Sequence, residues 1–123
     1  MKIYTSYFAN IRNLPKGVVP IAICLKSPDW YNGLEYKKLA PKYGFFMAWK
    51  KNHNNAYYSV HFQHEVLDTL DVNEVVKDLA KLSSGKDVAL ICFEKITDFC
   101  HRHQVSDWFR HNGIDCKEYI KEQ

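Results

Sequence analysis

Long apolar runs are missing from this sequence of 123 residues. No stretch reaches the roughly 18 to 20 consecutive apolar residues that a membrane-spanning helix requires. The opening residues 1–4 lead directly into a strand-like run, without the pattern of a signal peptide. We therefore expect a protein of the cytoplasm that has no membrane partner.

The chain also lacks tracts rich in proline, glycine or serine, since it holds only five glycines and four prolines. Apolar residues make up 46% of it and charged residues 25%, a balance typical of globular rather than disordered chains. The length suits one domain with a real core, so we expect a single α/β domain over residues 1–123. The formal net charge of +3 is compatible with an anionic small molecule, a nucleotide or nucleic acid as partner.

The cysteine pattern favours thiols over disulfides. Of the four cysteines, Cys24 and Cys92 lie within apolar, strand-like runs, which suits buried, reduced side chains in a reducing compartment.

The order of apolar and polar segments predicts alternating strands and helices. Strands are predicted at 2–8, 18–25, 87–93 and 114–120, and helices at 45–51, 57–70, 72–82 and about 99–111. Asp71, with Glu74 three residues later, predicts a capped start for the third helix. A helix that follows an apolar strand favours parallel pairing with right-handed crossovers. We predict a small α/β, Rossmann-like layered fold with a mainly parallel sheet flanked by helices.

Residues 28–44 carry proline, glycine and asparagine at short intervals and predict an irregular loop. Trp30, Tyr31, Tyr36 and Tyr43 give this loop an aromatic surface. The rings either stack on a flat ligand or cover the edge of the core.

The segment "ICFEKITDFCHRH" (91–103) marks the point where the strongest strand gives way to a helix. Ligands collect at the carboxyl ends of parallel strands, where helices begin. If Asp98 or Thr97 caps this helix, Cys100 lies in its first turn, where free N–H groups and the helix dipole stabilise a thiolate.

Arg102 offers a bidentate clamp for a phosphate or carboxylate at the same helix start. Glu94 and Lys95 leave the strand within reach, as an acid/base pair or as an ion pair that holds the loop. The alternative is a purely structural helix start, in which Arg102 pairs with a surface acid and Cys100 packs inward.

This segment contains four residues of the types that bind zinc, which are Cys92, Cys100, His101 and His103. Their spacing differs from the C-x2-C and H-x3–5-H pairs of zinc sites, and two histidines two residues apart on a helix point in different directions. We therefore predict no metal site.

The same segment resembles the signature of the family called domain of unknown function 488, in which an apolar strand ends in Cys-x-Glu-Lys and Cys-His-Arg follows a few residues later. The opening "KIYTSYFANI" is similar to the family's first strand, and "ICLKSPDWYNGLEYKKLAP" resembles a segment of a small phage- or prophage-borne branch. The positions that match the motif, including the polar end of the first strand, are Cys92, Glu94, Lys95, Cys100, His101, Arg102, Thr5 and Ser6.

The resemblance implies an α/β fold whose shared polar residues gather around a pocket. They are Thr5 and Ser6 after one strand, Lys26 to Trp30 after the next, and Glu94 and Lys95 after the third. The more widespread branch opens with a Thr-Ile-Gly-His-Ser-like stretch where this chain has "YTSYF". A mechanism that requires that histidine would not operate here.

Two functional hypotheses follow. The first is an enzyme that acts on a nucleotide, nucleic acid or other phosphorylated substrate; it is not a phosphatase, since Arg102 follows Cys100 too closely for a C-x5-R loop. Its predicted catalytic residues are Cys100 as nucleophile with His101 and Glu94 moving protons, and its predicted ligand-binding residues are Arg102, Lys95, Thr5, Ser6 and Trp30.

The second hypothesis is a non-catalytic phage accessory protein that binds a nucleotide-like signal or a host protein. A nucleic-acid-binding module is a third hypothesis, opposed by the even spread of basic residues. The sequence identifies neither a cofactor nor an oligomeric state.

Overall fold

The computed structural model describes residues 1–94 and 98–121. Within these ranges the chain forms a five-stranded sheet in which all paired strands are parallel. The strands are β1 (Ile3–Tyr7), β2 (Val18–Ala22), β3 (Leu34–Glu35), β4 (Asp87–Cys92) and β5 (Cys116–Glu118), in the order β3-β2-β4-β1-β5. The predicted α/β fold with a parallel sheet is confirmed.

Strand β4 lies at the centre of the sheet because both of its edges and both of its faces are covered. Residues 88–92 are all buried, as the continuous apolar run in the sequence indicates for a strand covered on two sides. It pairs with β1 on one edge and with β2 on the other. Its carboxyl end at Cys92 therefore lies beside the carboxyl end of β2, where Ile23 donates its N–H to the carbonyl of Ile91 at 3.0 Å.

The two faces of the sheet are covered differently. One face packs in the larger apolar cluster with residues from all four described α-helices, which are α1 (Tyr43–Asn52), α2 (Asn55–Glu65), α3 (Val72–Ser83) and α4 (His101–His111). The other face carries a smaller cluster around Phe8, Ala22 and Ala89, covered by the 3-10 helix Phe8–Asn13 and by the loop that contains Tyr31. No helix in the described part of the chain is long and apolar enough to cross a membrane.

Helix α3 begins as predicted. The Asp71 side chain accepts hydrogen bonds from the backbone N–H groups of Asn73 and Glu74. It thereby satisfies two of the donors that a helix start leaves free.

Helix α4 begins differently from the prediction. Its N-cap is Cys100, with extended backbone angles (φ −156°, ψ 139°) and no side-chain capping bond. The predicted capping role of Asp98 is therefore wrong, because the helix starts two residues later than that role requires. Thr97, the other predicted cap, lies outside the described residues.

Other boundaries also differ from the predictions. The helix predicted over 57–70 ends at Glu65, because Val66 has ψ near −70° and φ near −117°, and the 3-10 turn Leu67–Thr69 follows. Strand β2 ends at Ala22 and β5 covers only Cys116–Glu118. The predicted loop over 28–44 contains the short strand β3. This strand has only two residues, which are too few to show an apolar periodicity.

Candidate active site

A cavity of about 420 Å³ opens where β2 and β4 end. This volume lies within the range of about 300 to 1,000 Å³ that is usual for small-molecule sites. Its described lining comes from residues 24–26 after β2, residues 92–94 at the end of β4, Pro41, helices α1 and α2, and residues 99–101 at the start of α4. It therefore occupies the position at which open parallel sheets bind ligands.

Cys92, Cys100 and His101 form a compact cluster on the wall of this cavity. The two sulfur atoms and a ring nitrogen of His101 all lie within 4.8 Å of one another. The Nδ1 atom of His101 is 3.8 Å from Cys92 Sγ and 4.0 Å from Cys100 Sγ. All three residues are at most 6% exposed. The end of a strand and the start of a helix thus bring together residues separated by eight positions in the sequence.

The ring of His101 is held in place by the backbone of Ile23, the residue that follows β2. Its Nε2 lies 2.7 Å from the carbonyl oxygen of Ile23. Because a carbonyl oxygen only accepts, Nε2 carries the hydrogen of this bond. Cys92 Sγ lies about equally far from the two ring nitrogens, 3.7 Å from Nε2 and 3.8 Å from Nδ1.

The electrostatic environment shifts the pKa values of the Cys92 and Cys100 thiols in opposite directions. Burial raises the pKa of Cys100, but the Cys92 thiol, the His101 imidazole and the backbone N–H of Arg102 outweigh it, so the pKa of Cys100 is lowered. Burial and the neighbouring Cys100 raise the pKa of Cys92 well above its ordinary value. Cys100 is consequently the sulfur that ionises first.

Glu94 lies half-buried on the same cavity wall, immediately after β4. Burial and the adjacent charge of Cys100 raise the pKa of its carboxyl to about 7. A carboxyl with a pKa near neutrality can both release and accept a proton at the operating pH. The pair of Cys100 and Glu94 therefore combines an ionised sulfur with a carboxyl that is able to act as an acid.

Arg102 lies beside this cluster but does not line the cavity. Its side chain is fully buried, and its Nε and Nη2 atoms donate to the two carboxylate oxygens of Glu118 at 3.1 Å each. Its Nη1 donates to the backbone carbonyl of Glu94 at 2.6 Å. The bidentate clamp exists, but its partner is a carboxylate of β5, and it fixes the backbone that presents Glu94. Ligand binding by Arg102 stays a prediction.

Thr5 and Ser6 are buried inside the sheet and are absent from the described cavity lining. Thr5 donates its hydroxyl hydrogen to Glu118 at 2.7 Å, and Ser6 accepts a hydrogen bond from the Asn10 amide at 3.0 Å. Both side chains thus stabilise the scaffold around the site, and direct ligand binding by either stays a prediction.

Two rings of the aromatic loop, Trp30 and Tyr31, cover the opposite face of the sheet. Trp30 and Tyr31 pack edge-on against Phe8, with ring centroids 5.9 Å and 5.2 Å away. Tyr36 is buried and donates its hydroxyl hydrogen to Asp78. These contacts agree with the alternative in which the rings cover the edge of the core. Trp30 remains a predicted ligand residue that does not line the cavity, and Lys95 lies outside the described residues.

Two lysines and several aromatic residues complete the cavity lining. Lys26, which the family resemblance places at the pocket, and Lys50, which the sequence reasoning missed, both line the cavity and are exposed, so they bring two positive charges toward its opening. Phe46, Trp49 and Phe99 supply aromatic walls, with Trp49 5.6 Å from the ring of Phe99. The residues of α1 carry no motif, and only the packing of that helix over the sheet reveals them.

Fold and site together define a small α/β-domain protein with a ligand-sized cavity at the carboxyl edge of its parallel sheet. The chain belongs to the DUF488 family: the family model DUF488-N3a, described as the active DUF488-N3 subclade, matches residues 7–113. Comparison with curated proteins and with solved structures finds no match. The family predicted from "ICFEKITDFCHRH" is confirmed, and the phage-type branch stays a prediction.

Proposed function

We propose that this protein is an enzyme that binds a flat, anionic, nucleotide-like molecule in the cavity and reacts with it through Cys100. The observation that supports the proposal is the convergence of Cys100, His101 and Glu94 on one wall of a ligand-sized cavity. A nucleophile, an oriented imidazole and a carboxyl within one pocket are the parts that covalent catalysis requires.

The remaining lining suits a ligand with one flat and one charged part. Trp49 and Phe99 offer aromatic surface for a planar ring. Lys26 and Lys50 lie near the opening and would meet a phosphate or carboxylate. In this arrangement the anion is held by lysines, whereas the Arg102 guanidinium is already occupied by Glu118.

The proposed reaction is a substitution at a carbon atom of the ligand. The Cys100 sulfur forms a bond to that carbon, the bond to the leaving group breaks, and Glu94 donates its proton to the leaving group. Water then replaces the sulfur and returns a proton to Glu94, which restores both residues. His101 holds the two sulfur atoms in position through its anchored ring.

The first prediction concerns Cys100 and Glu94. Purified, metal-free protein is incubated with a panel of nucleotides and sugar phosphates, and conversion is followed by mass spectrometry with thermal stabilisation as the measure of binding. We expect Cys100→Ser to abolish turnover and Glu94→Gln to lower it by about 10²- to 10⁴-fold, the usual contribution of an acid/base group. Both variants should still be stabilised by the ligand.

Cys116→Ser is the matched control, because Cys116 is a buried free thiol outside the described cavity lining. Its turnover should equal that of the wild type. Full activity of Cys100→Ser would overturn the proposed nucleophile. A ligand that stabilises the wild type saturably and is recovered unchanged would overturn the enzymatic proposal and favour a binding function.

A further inference from the structure

The cluster of Cys92, Cys100 and His101 has the composition and the spacing of a metal site. We propose that these three side chains bind one Zn²⁺ ion, with the fourth coordination position open to the cavity. Two cysteines and a histidine with one open position are a ligand set that zinc accepts in proteins.

The distances between the ligand atoms support the proposal. Zinc bonds of about 2.3 Å to sulfur and about 2.0 to 2.1 Å to nitrogen, arranged tetrahedrally, place a sulfur about 3.5 Å from a nitrogen ligand. The corresponding distances from His101 Nδ1 are 3.8 Å to Cys92 and 4.0 Å to Cys100. A contraction of a few tenths of an ångström would bring both sulfur–nitrogen distances to this value. Because Cys92 Sγ also lies 3.7 Å from Nε2, the Cys92 side chain must in addition turn toward the Nδ1 lone pair to bind the ion.

The orientation of His101 supplies an independent argument. Histidines that bind metals donate their other ring N–H to a carboxylate, a backbone carbonyl or water, which fixes both the tautomer and the direction of the ring. The Nε2–H of His101 donates to the carbonyl of Ile23 at 2.7 Å. A neutral ring with this hydrogen bond has its lone pair on Nδ1, which lies within 4.0 Å of both sulfur atoms.

Sequence spacing does not reveal this site because its ligands come from two elements. Cys92 ends β4, whereas Cys100 and His101 begin α4, and only the packing of the helix start against the strand end joins them. The opposite expectation, that the spacing excludes a metal, assumed that ligands arrive in pairs on one turn. His103, the fourth ligand type in the segment, is absent from the cluster.

Metal binding would also control the proposed reaction. A zinc-bound Cys100 shares one sulfur lone pair with the metal, which lowers the nucleophilicity of the sulfur. The loaded protein is therefore the less active form and the metal-free protein the more active one. This consequence rests on the proposed function, whereas the metal site itself does not.

The second prediction tests the site with Co²⁺, which gives the spectrum that Zn²⁺ lacks. Chelator-treated, reduced full-length protein is titrated with Co²⁺. We expect one ion per chain, a thiolate-to-cobalt charge-transfer band and the intense visible bands of tetrahedral cobalt. One equivalent of Zn²⁺ should remove these bands, and native mass spectrometry should show a single zinc.

The variants identify the ligands. Cys92→Ser and Cys92→Ala should weaken Zn²⁺ binding at least about 100-fold, since loss of a ligand costs no less than loss of an outer partner. Circular dichroism melting confirms that each variant is folded, and Cys92→Ala retains the apolar character of the position if serine does not. Cys24→Ser and Cys116→Ser, which replace free cysteines outside the cluster, should bind like the wild type.

Absence of the cobalt bands in the wild type, or unchanged binding in folded Cys92 variants, would overturn the proposal. Failure of the site and failure of the proposed function are distinguishable. Zinc binding without turnover under any condition removes only the enzymatic role, and turnover without zinc binding removes only the metal site. If both hold, Zn²⁺ inhibits turnover by the wild type, and removal of the ion with a chelator restores it.

Discussion

At the scale of single residues, Arg102 shows how the surroundings of a side chain decide its role. An arginine at a helix start offers anion binding in principle. In the structure three of its N–H groups are engaged by Glu118 and by the Glu94 carbonyl. Thr5 adds a hydrogen bond to the same carboxylate. The network joins β1, β5 and α4 and ends at the backbone of a cavity residue.

The third prediction follows from the burial of this ion pair. Arg102→Met should lower the free energy of unfolding by about 3 to 5 kcal/mol, because it leaves Glu118 as an uncompensated buried charge. The double variant Arg102→Met/Glu118→Leu should regain part of this loss, since no charge is then left unpaired. Urea unfolding of both variants measures the difference. Lys77→Met, which breaks an exposed ion pair with Glu74, is the control and should cost less than about 1 kcal/mol.

A double variant no more stable than Arg102→Met would contradict this account. Unchanged stability of Arg102→Met would contradict it too, and would favour the ligand-binding role predicted from the sequence.

At the scale of elements, local capping signals predicted one helix start correctly and one wrongly, since the N-cap of α4 is Cys100 and not Asp98. The start of α3 follows from Asp71, whose cap needs only the next few residues. The end of α2 did not follow, because Leu67 and Leu70 continue the apolar spacing of a helix although the backbone turns at Val66. Leu67 instead packs in the larger cluster from a 3-10 turn, and Leu70, the extended residue that follows this turn, packs against the same cluster. Periodicity reports which side chains face the core and not whether the helix is continuous.

The fourth prediction concerns the contact that holds α3 to the chain before α1. The Tyr36 hydroxyl donates to Asp78 at 2.5 Å and lowers the pKa of that carboxyl. The folded protein thus keeps Asp78 ionised at pH values where the unfolded chain protonates it. The contribution to stability is full above the ordinary aspartate pKa of about 3.9 and is lost as the pH falls through the lower folded-state value.

Tyr36→Phe should therefore lower the free energy of unfolding by about 0.5 to 1 kcal/mol at neutral pH. This difference from the wild type should shrink as the pH is lowered below about 4. Chemical unfolding at several pH values measures both effects. Tyr43→Phe removes a hydroxyl from an exposed ring and should show no such pH dependence. A Tyr36→Phe deficit that is constant with pH would disprove the link to Asp78.

At the scale of the whole molecule, strand order separates what the sequence could predict from what it could not. Cys100, His101 and Glu94 lie near one strand end and one helix start, so a local reading brought them to the same cavity. Glu118 was missed because its role depends on the pairing of β5 with β1, which places it opposite Thr5. Lys50 and Trp49 were missed because α1 reaches the cavity only through tertiary packing. The sequence therefore did not predict these residues because it does not show which distant strands and helices pack together.

The fifth prediction is that the two apolar clusters unfold together, because they share β2 and β4. Ile21 and Leu90 face the larger cluster, whereas Ala22 and Ile91 on the same strands face the smaller one. Phe62→Ala in the larger cluster should cost about 3 to 5 kcal/mol. Phe8→Ala should cost less, since the loop that covers Phe8 can collapse into the space more readily than packed helices can. In both variants the transitions followed by far-ultraviolet circular dichroism and by tryptophan fluorescence should coincide.

Val60→Ala, at an exposed position of α2, is the control and should change stability by less than about 0.5 kcal/mol. Two separate transitions in Phe8→Ala would show that the smaller cluster melts by itself, because the strands would then fail to transmit its loss to the helix-covered face.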